Sequence, residues 1–211
     1  MRDFGLERAC NGHKVVLLDA SALHLREIGL FGKEKTDAPS LRSGRDHIEY
    51  LGSVNKMLKD TLFITPGVSN ELGKFKEVVK KLEIPRSQKN LIVETCDFAR
   101  NRRIISYTEE EQRLMHDASL YFKYFTRFIS PTDYEMLMSS ITTGTYRGSS
   151  GVLTNDTGII DVFDSMIRFL RKGYLNHGLP HVSYPIKIHS MMTMDEFSIM
   201  SFYDPNTCRS R

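Results

Sequence analysis

The 211-residue chain contains no uninterrupted apolar run of membrane length, which excludes a helical membrane span. Met1–Asn11 mixes charges with single apolar residues and lacks the apolar centre of a signal peptide. Cysteine is scarce: Cys10, Cys96 and Cys208 are odd in number, far apart, and form no Cys-x-x-Cys pair. That usage excludes a disulfide framework and fits a reducing cytoplasm. There is no phosphate-binding Walker loop, no dinucleotide glycine fingerprint and no internal repeat. With 40% hydrophobic residues, the chain has enough material for one domain with a proper core.

What is present begins with Val15-Val16-Leu17-Leu18, four apolar residues running into Asp19, with a hydroxyl at Ser21. A run without alternation suits a strand buried on both faces of a parallel sheet. A second such run, Gly151–Thr157, carries Val152 and Leu153 into Thr154-Asn155-Asp156. Between them lie helical patterns. Ile48, Leu51, Val54 and Leu58 predict a helix over Asp46–Lys59, and Leu62–Ile64 a short strand. Thr65-Pro66 caps and opens a helix through Leu82 that carries Glu71. Thr108 and Glu111 form a capping box, starting a helix with Leu114, Ala118, Tyr121, Phe122, Phe125 and Phe128 inward. Ser130-Pro131 opens another with Asp133 in its first turn and Met136, Leu137 and Ile141 inward.

Other stretches are less regular. Ala22–Glu27 suits a short helix, and Ile28–Gly44 has loop composition. Glu83–Tyr107 is ambiguous, with Leu91-Ile92-Val93 suited to strand or helix. Thr142–Gly151, with its glycines and serines, predicts a flexible loop. Ile159, Ile160, Phe163, Ile167 and Leu170 suit a last helix closed by Gly173. The Met-, His- and Ser-rich tail Tyr174–Arg211 leaves room for a strand at Tyr184–Ile188 and an apolar segment at Phe197–Phe202. Alternating elements of this kind predict an α/β three-layer sandwich around a mainly parallel sheet. The domain covers 14–172, with 173–211 as an extension packed on it.

In such a fold strand carboxyl ends and the following helix starts share one edge. Asp19, Glu71, Asp133 and Asp156 would therefore gather there. Clustered carboxylates repel unless protons or cations neutralise them, and Mg²⁺ uses one or two carboxylates plus water and phosphate oxygens. Each acid also has a plainer explanation: Asp19 as a turn cap, Asp133 as a first-turn acid favoured by the helix dipole, Glu71 as a solvent-facing charge.

The ordered set formed by Asp19-Ala20-Ser21, Thr65–Glu71-Leu72, Asp133 with Tyr134–Ile141, and Leu153-Thr154-Asn155-Asp156 resembles the PIN-domain nucleases over roughly Lys14 to Lys172. The resemblance implies a Mg²⁺- or Mn²⁺-dependent endoribonuclease. It implies Asp19, Glu71, Asp133 and Asp156 as catalytic and metal-holding residues, supported by Ser21, Thr154, Asn155 and a further acid at Asp161 or Asp164. The intervening segments are longer than in compact toxin members, and the tail has no counterpart there.

Net charge is only +3, but Lys74, Lys76, Lys80 and Lys81 line one helix, and Arg86, Lys89, Arg100, Arg102 and Arg103 cluster around the next segment. Ordinary solvated helix faces and a polyanion surface both explain this pattern. On the second explanation Arg102, Arg103 and Arg147 contact a nucleic-acid backbone, with RNA as the partner. A homo-oligomer or inhibitor protein stays open and no membrane partner is expected. Two rivals remain. A haloacid-dehalogenase-like phosphatase needs a second Asp where Ser21 stands. A noncatalytic RNA-binding scaffold on the same fold needs no metal ligands. His177, His181 and His189 lack a supporting Cys or acid at metal-ligand spacing, and Met191, Met192, Met194 and Met200 suit packing.

Overall fold

The computed structural model describes residues 13–30, 43–122, 129–147, 150–156 and 159, and the backbone of 186–190. Strand β1 (Val15–Leu18) is followed by a 3₁₀ turn (Ala20–Leu23) and the short helix α1 (Leu25–Leu30). Then come α2 (Gly44–Leu58), β2 (Leu62–Ile64), α3 (Pro66–Lys81), α4 (Arg86–Arg100) and the two-residue strand β3 (Arg103–Ile104). Helices α5 (Glu109–Phe122) and α6 (Pro131–Arg147) precede β4 (Ser150–Thr154) and β5 (Ile186–Ser190).

The five strands form one sheet in the order β3-β2-β1-β4-β5, and every neighbouring pair is parallel. The protein is an α/β three-layer sandwich, and β1 shows why its sequence is continuously apolar. Val16 and Leu18 enter one core with Tyr50, Val54 and Leu58 of α2, Val68 and Leu72 of α3, and Ile92 and Cys96 of α4. Val15 and Leu17 enter the other, with Met136, Leu137 and Ile141 of α6. Both faces are covered by helices, so no position along the strand tolerates a polar side chain. β4 is buried throughout for the same reason.

Local chemistry sets the helix ends. Thr65 caps α3 by accepting from Val68 N at 3.3 Å, with Pro66 in the first turn. The Thr108–Glu111 box closes reciprocally: Thr108 N donates to Glu111 Oε2 at 2.9 Å, and Glu111 N donates to Thr108 Oγ1 at 3.2 Å. Ser43, accepting from Asp46 N, starts α2 at Gly44, two residues before the periodicity suggests. The loop expected over Ile28–Gly44 is helical at both ends.

The structure corrects the loop expected at Thr142–Gly151. Helix α6 continues to Arg147, and Ser150 already belongs to β4. Hydroxyls stabilise what their composition seemed to loosen. Buried Thr143 donates to Ser139 O at 2.8 Å, and its oxygen lies 3.0 Å from Ser150 Oγ, which can donate to it, so these two hydroxyls are paired inside the helix–strand seam. The ambiguous segment resolves into α4 and β3, with Leu91–Val93 helical. The tail strand lies two residues later than expected and pairs with β4 from Ser150↔Ile186 to Thr154↔Ser190. Ile159 is buried; the rest of its expected helix, Phe125, Phe128 and the apolar segment Phe197–Phe202 lie outside the described residues. Among the described residues, no helix is long and apolar enough to cross a membrane.

Candidate functional site

The chain passes from β1 through β2 and β3 on one side, then returns to place β4 and β5 on the other. The β1–β4 junction is thus the point where strand order reverses, and open α/β sheets bind ligands outside the strand carboxyl ends there. Asp19 follows β1 at this junction, and Asn155 and Asp156 follow β4.

Asp19 is 4% exposed. Its side chain makes no N-cap hydrogen bond to the 3₁₀ turn, although the Ser21 backbone N–H does act on its carboxylate, so turn capping is one part of its role. The carboxylate also crosses to β4. Oδ2 accepts the Ser21 hydroxyl and the Thr154 hydroxyl, the latter at 2.6 Å. Each hydroxyl accepts a backbone N–H in turn: Asn155 N donates to Ser21 Oγ at 2.8 Å, and Asp156 N donates to Thr154 Oγ1 at 3.0 Å. The backbone adds Asp19 N to Leu153 O at 2.9 Å. Asp-x-Ser and Thr-Asn-Asp are therefore one hydrogen-bonded unit.

Burial pushes the Asp19 carboxyl above the ordinary carboxylate range. The two hydroxyls pull it back, and the negative charge of Asp133 pushes it further up. Glu71 is raised too, by burial first and then by the charges of Asp133 and Asp19. Glu71 is exposed on α3 and lines a cleft with Ser21 and Asn155, and a hydrogen bond with Thr132 pulls its carboxyl back down. Three of the four predicted acids thus feel one another. Asp133 also caps its own helix. Its Oδ2 accepts Ser130 N at 3.2 Å and Ser130 Oγ at 2.7 Å, while its own N donates to Ser130 Oγ at 3.1 Å. This is a capping box with Asp in place of Glu. Asp156 is exposed, directly after the strand end.

The three arginines lie elsewhere. Arg147 is 14 residues beyond Asp133 on α6, about 21 Å of helix. It donates to both Glu111 oxygens at 2.7 and 2.8 Å and to Ser106 O. Arg102 donates to Asn55 Oδ1 and Phe98 O and covers the Phe98 ring. Arg103 donates to Asp60 O over the Phe63 ring. The loop 142–151 and these arginines are thus engaged in holding elements together, and the structure does not bring them to the acids. In the lysine row, Lys76 pairs with Asp97 at 2.5 Å and Lys80 with Glu77 at 2.7 Å. Asp161, Asp164, His177, His181 and the tail methionines lie outside the described residues, as does the side chain of His189.

Sequence reasoning missed the cleft's other wall: Leu25, Arg26 and Glu27 of α1 and Phe75 of α3. A signal existed for Phe75, four residues after Glu71 and so on the same helix face. For α1 the signal is conformational and invisible in a sequence. His24 adopts φ 50°, ψ 37°, a left-handed geometry uncommon for non-glycine residues. It turns the chain so that Leu25 and Arg26 border the cleft. Its buried ring stacks edge-on to Tyr50 at 5.5 Å, with Glu27 Oε1 3.8 Å from Nδ1. Burial alone would raise the Glu27 carboxyl, but His24 outweighs it and holds the group below its ordinary value. Also unforeseen, Glu135 of α6 accepts Gly67 N at 2.8 Å, tying α6 to the first turn of α3.

As a candidate cation site, Asp19 and Glu71 supply hard oxygen donors in a region of accumulated negative charge. Among the described residues, no three of His, Cys, Asp and Glu converge closely enough to ligate one ion directly. An ion held here would have to keep much of its water, as Mg²⁺ can. No protein-family model matches the chain, nor does any curated protein or solved structure.

Proposed function

We propose that the protein is a divalent-metal-dependent nuclease of PIN-like type that hydrolyses phosphodiester bonds, with RNA as substrate. The observation that carries this reading is Asp19. A carboxylate 4% exposed, held by hydroxyls from the turn after β1 and the end of β4 and pushed upward by burial first and by the charge of Asp133 as well, is costly unless a cation or proton relieves it. Mg²⁺ or Mn²⁺ supplies water activation and neutralises charge on a phosphodiester. Asp19 and Asp156 would be the inner donors, with Glu71 and Asp133 acting directly or through ordered water. Ser21 and Thr154 aim Asp19 through its Oδ2, and Asn155 follows the same hydrogen-bonded unit.

A specific observation favours a second reading. Asp133 is already used as a capping residue, and three acids do not converge for direct ligation among the described residues. A noncatalytic RNA-binding scaffold on the same fold would have these properties. Incubation with structured and single-stranded RNAs, in Mn²⁺ and in EDTA, separates the two. The nuclease cuts only with metal and loses activity in Asp19→Asn and Asp156→Asn. A wild type that cuts nothing under any metal condition leaves the scaffold.

A further inference from the structure

The cleft beside Asp19 contains chemistry that carboxylates and metal do not use. Leu25, Leu72 and Phe75 give it an apolar wall. Leu72 is fully buried, whereas Leu25 and Phe75 are partly exposed and packed against the same core, so the wall is rigid and open to solvent. Its volume of about 290 Å³ is at the small end of ligand sites, about 300–1,000 Å³. There is room for one ring system.

The inner end is polar. Ser21 and Asn155, which connect to Asp19 through the hydrogen bonds above, line this cleft as well. The slot therefore ends where the candidate reaction centre begins. At its border is the exposed side chain of Arg26, held on the helix that the left-handed His24 re-aims. The cleft thus joins a cation, an apolar wall, an amide, a hydroxyl and the carboxylates Glu27 and Glu71.

That set of groups suits one nucleotide of a strand. A base offers a flat face to apolar and aromatic side chains and polar edges to an amide or hydroxyl, and its flanking phosphates lie to either side. We infer that the cleft is a nucleoside subsite, holding one unstacked base next to the scissile phosphate while Arg26 meets a neighbouring phosphate. A base stacked in a duplex is not free to enter it, so the substrate is single-stranded. The placement of the phosphate rests on the nuclease reading; the occupancy of the slot by a base does not.

Uncharged nucleosides are the right probe, because metal-free carboxylates repel a phosphate. Wild-type protein in EDTA is titrated with adenosine and with uridine and followed by amide chemical shifts. Saturable binding with shifts centred on Leu25, Leu72, Phe75 and Asn155 is expected. Phe75→Leu, which keeps an apolar filler and removes the ring, should weaken binding about tenfold. Arg26→Glu, an exposed change that leaves packing intact, should leave nucleoside binding unchanged. It should weaken a single-stranded hexanucleotide and reduce the salt slope by about one. Absence of saturable nucleoside binding, shifts centred elsewhere, or wild-type affinity in Phe75→Leu overturns the subsite. Metal-dependent cleavage without nucleoside binding rejects the subsite and keeps the nuclease. Nucleoside binding without cleavage under any metal condition keeps the subsite and rejects the nuclease.

Discussion

The Thr154 hydroxyl donates to Asp19 Oδ2 at 2.6 Å, joining residues 135 positions apart, and the same oxygen accepts Asp156 N at 3.0 Å. One side chain therefore fixes the carboxylate and shapes the turn after β4. Thr154→Val keeps the shape and deletes both roles. Hydrogen bonds to charged groups contribute about 1.5–3 kcal/mol, and urea unfolding at pH 7 should show a loss of that size. Thr154→Ser should lie close to wild type, since it keeps the hydroxyl. Equal stability of the Val variant would remove Thr154 from the site's support.

Two sets of groups tilt the stability–pH curve of metal-free protein in opposite directions. His47 is fully buried, its Nε2 3.0 Å from Thr95 Oγ1. Burial first, and the charge of His24 second, lower it from 6.5 to about 4, with Glu27 working weakly against them. The native state then binds fewer protons than the unfolded chain. Its stabilising contribution is present above pH 6.5 and lost as pH falls toward 4, by about 3 kcal/mol. Asp19 and Glu71 are raised, so their contribution is present below the ordinary carboxylate range and lost as pH rises through their folded values. His47→Gln should flatten the acid limb and Asp19→Asn the opposite one, in urea unfolding from pH 4.5 to 7.5. A curve unaltered by His47→Gln would show that this imidazole is not held neutral.

The sheet's centre was legible because β1 is apolar at all four positions and β4 carries Val152-Leu153 at its centre, as strands covered on both faces require. Asp19 and Thr154 were legible as a site because each directly follows or ends such a strand. The 142–151 segment was misread because glycine and serine suggest turns, while here buried hydroxyls pair across the α6–β4 seam. The partners of the arginines were illegible for a related reason. Composition records charge but not what the charge meets, and Arg102, Arg103 and Arg147 meet carbonyls, aromatic rings and Glu111. The α1 wall of the cleft depends on one backbone rotation at His24 that no side-chain pattern encodes.

The Arg147–Glu111 pair gives that distinction a measurement. Glu111 is 2% exposed and takes both Arg147 nitrogens as well as Thr108 N. Deleting one member of a buried pair leaves an uncompensated charge at a cost of about 3 kcal/mol, so Arg147→Met should lower Tm by about 6–12 °C. Arg147→Met with Glu111→Leu should recover part of the loss. If Arg147 is structural, the salt slope for single-stranded RNA is unchanged in the folded double variant. A slope reduced by about one would return Arg147 to the nucleic-acid surface. The same comparison applies to Arg102→Ala and Arg103→Ala, which contact Asn55 and Asp60.

The most informative single substitution is Asp19→Asn, because stability and activity should move in opposite directions. An asparagine oxygen at the Oδ2 position still accepts from Ser21 and Thr154, so the β1–β4 unit survives. The buried charge disappears, and with it the repulsion from Asp133 and Glu71. In EDTA at pH 7 the variant should therefore be at least as stable as wild type. Wild type should gain stability with Mn²⁺, by about 2.7 kcal/mol at one hundred times its dissociation constant, whereas Asp19→Asn should gain little. Cleavage of single-stranded RNA should vanish in the variant under the same Mn²⁺. Thermal unfolding with and without Mn²⁺, run beside the cleavage assay, reads all three effects. If Asp19→Asn unfolds in EDTA more readily than wild type, the carboxylate is a structural acceptor that the fold needs charged. If Mn²⁺ stabilises both proteins equally, the ion binds away from Asp19. Either result would remove the residue on which the nuclease reading stands.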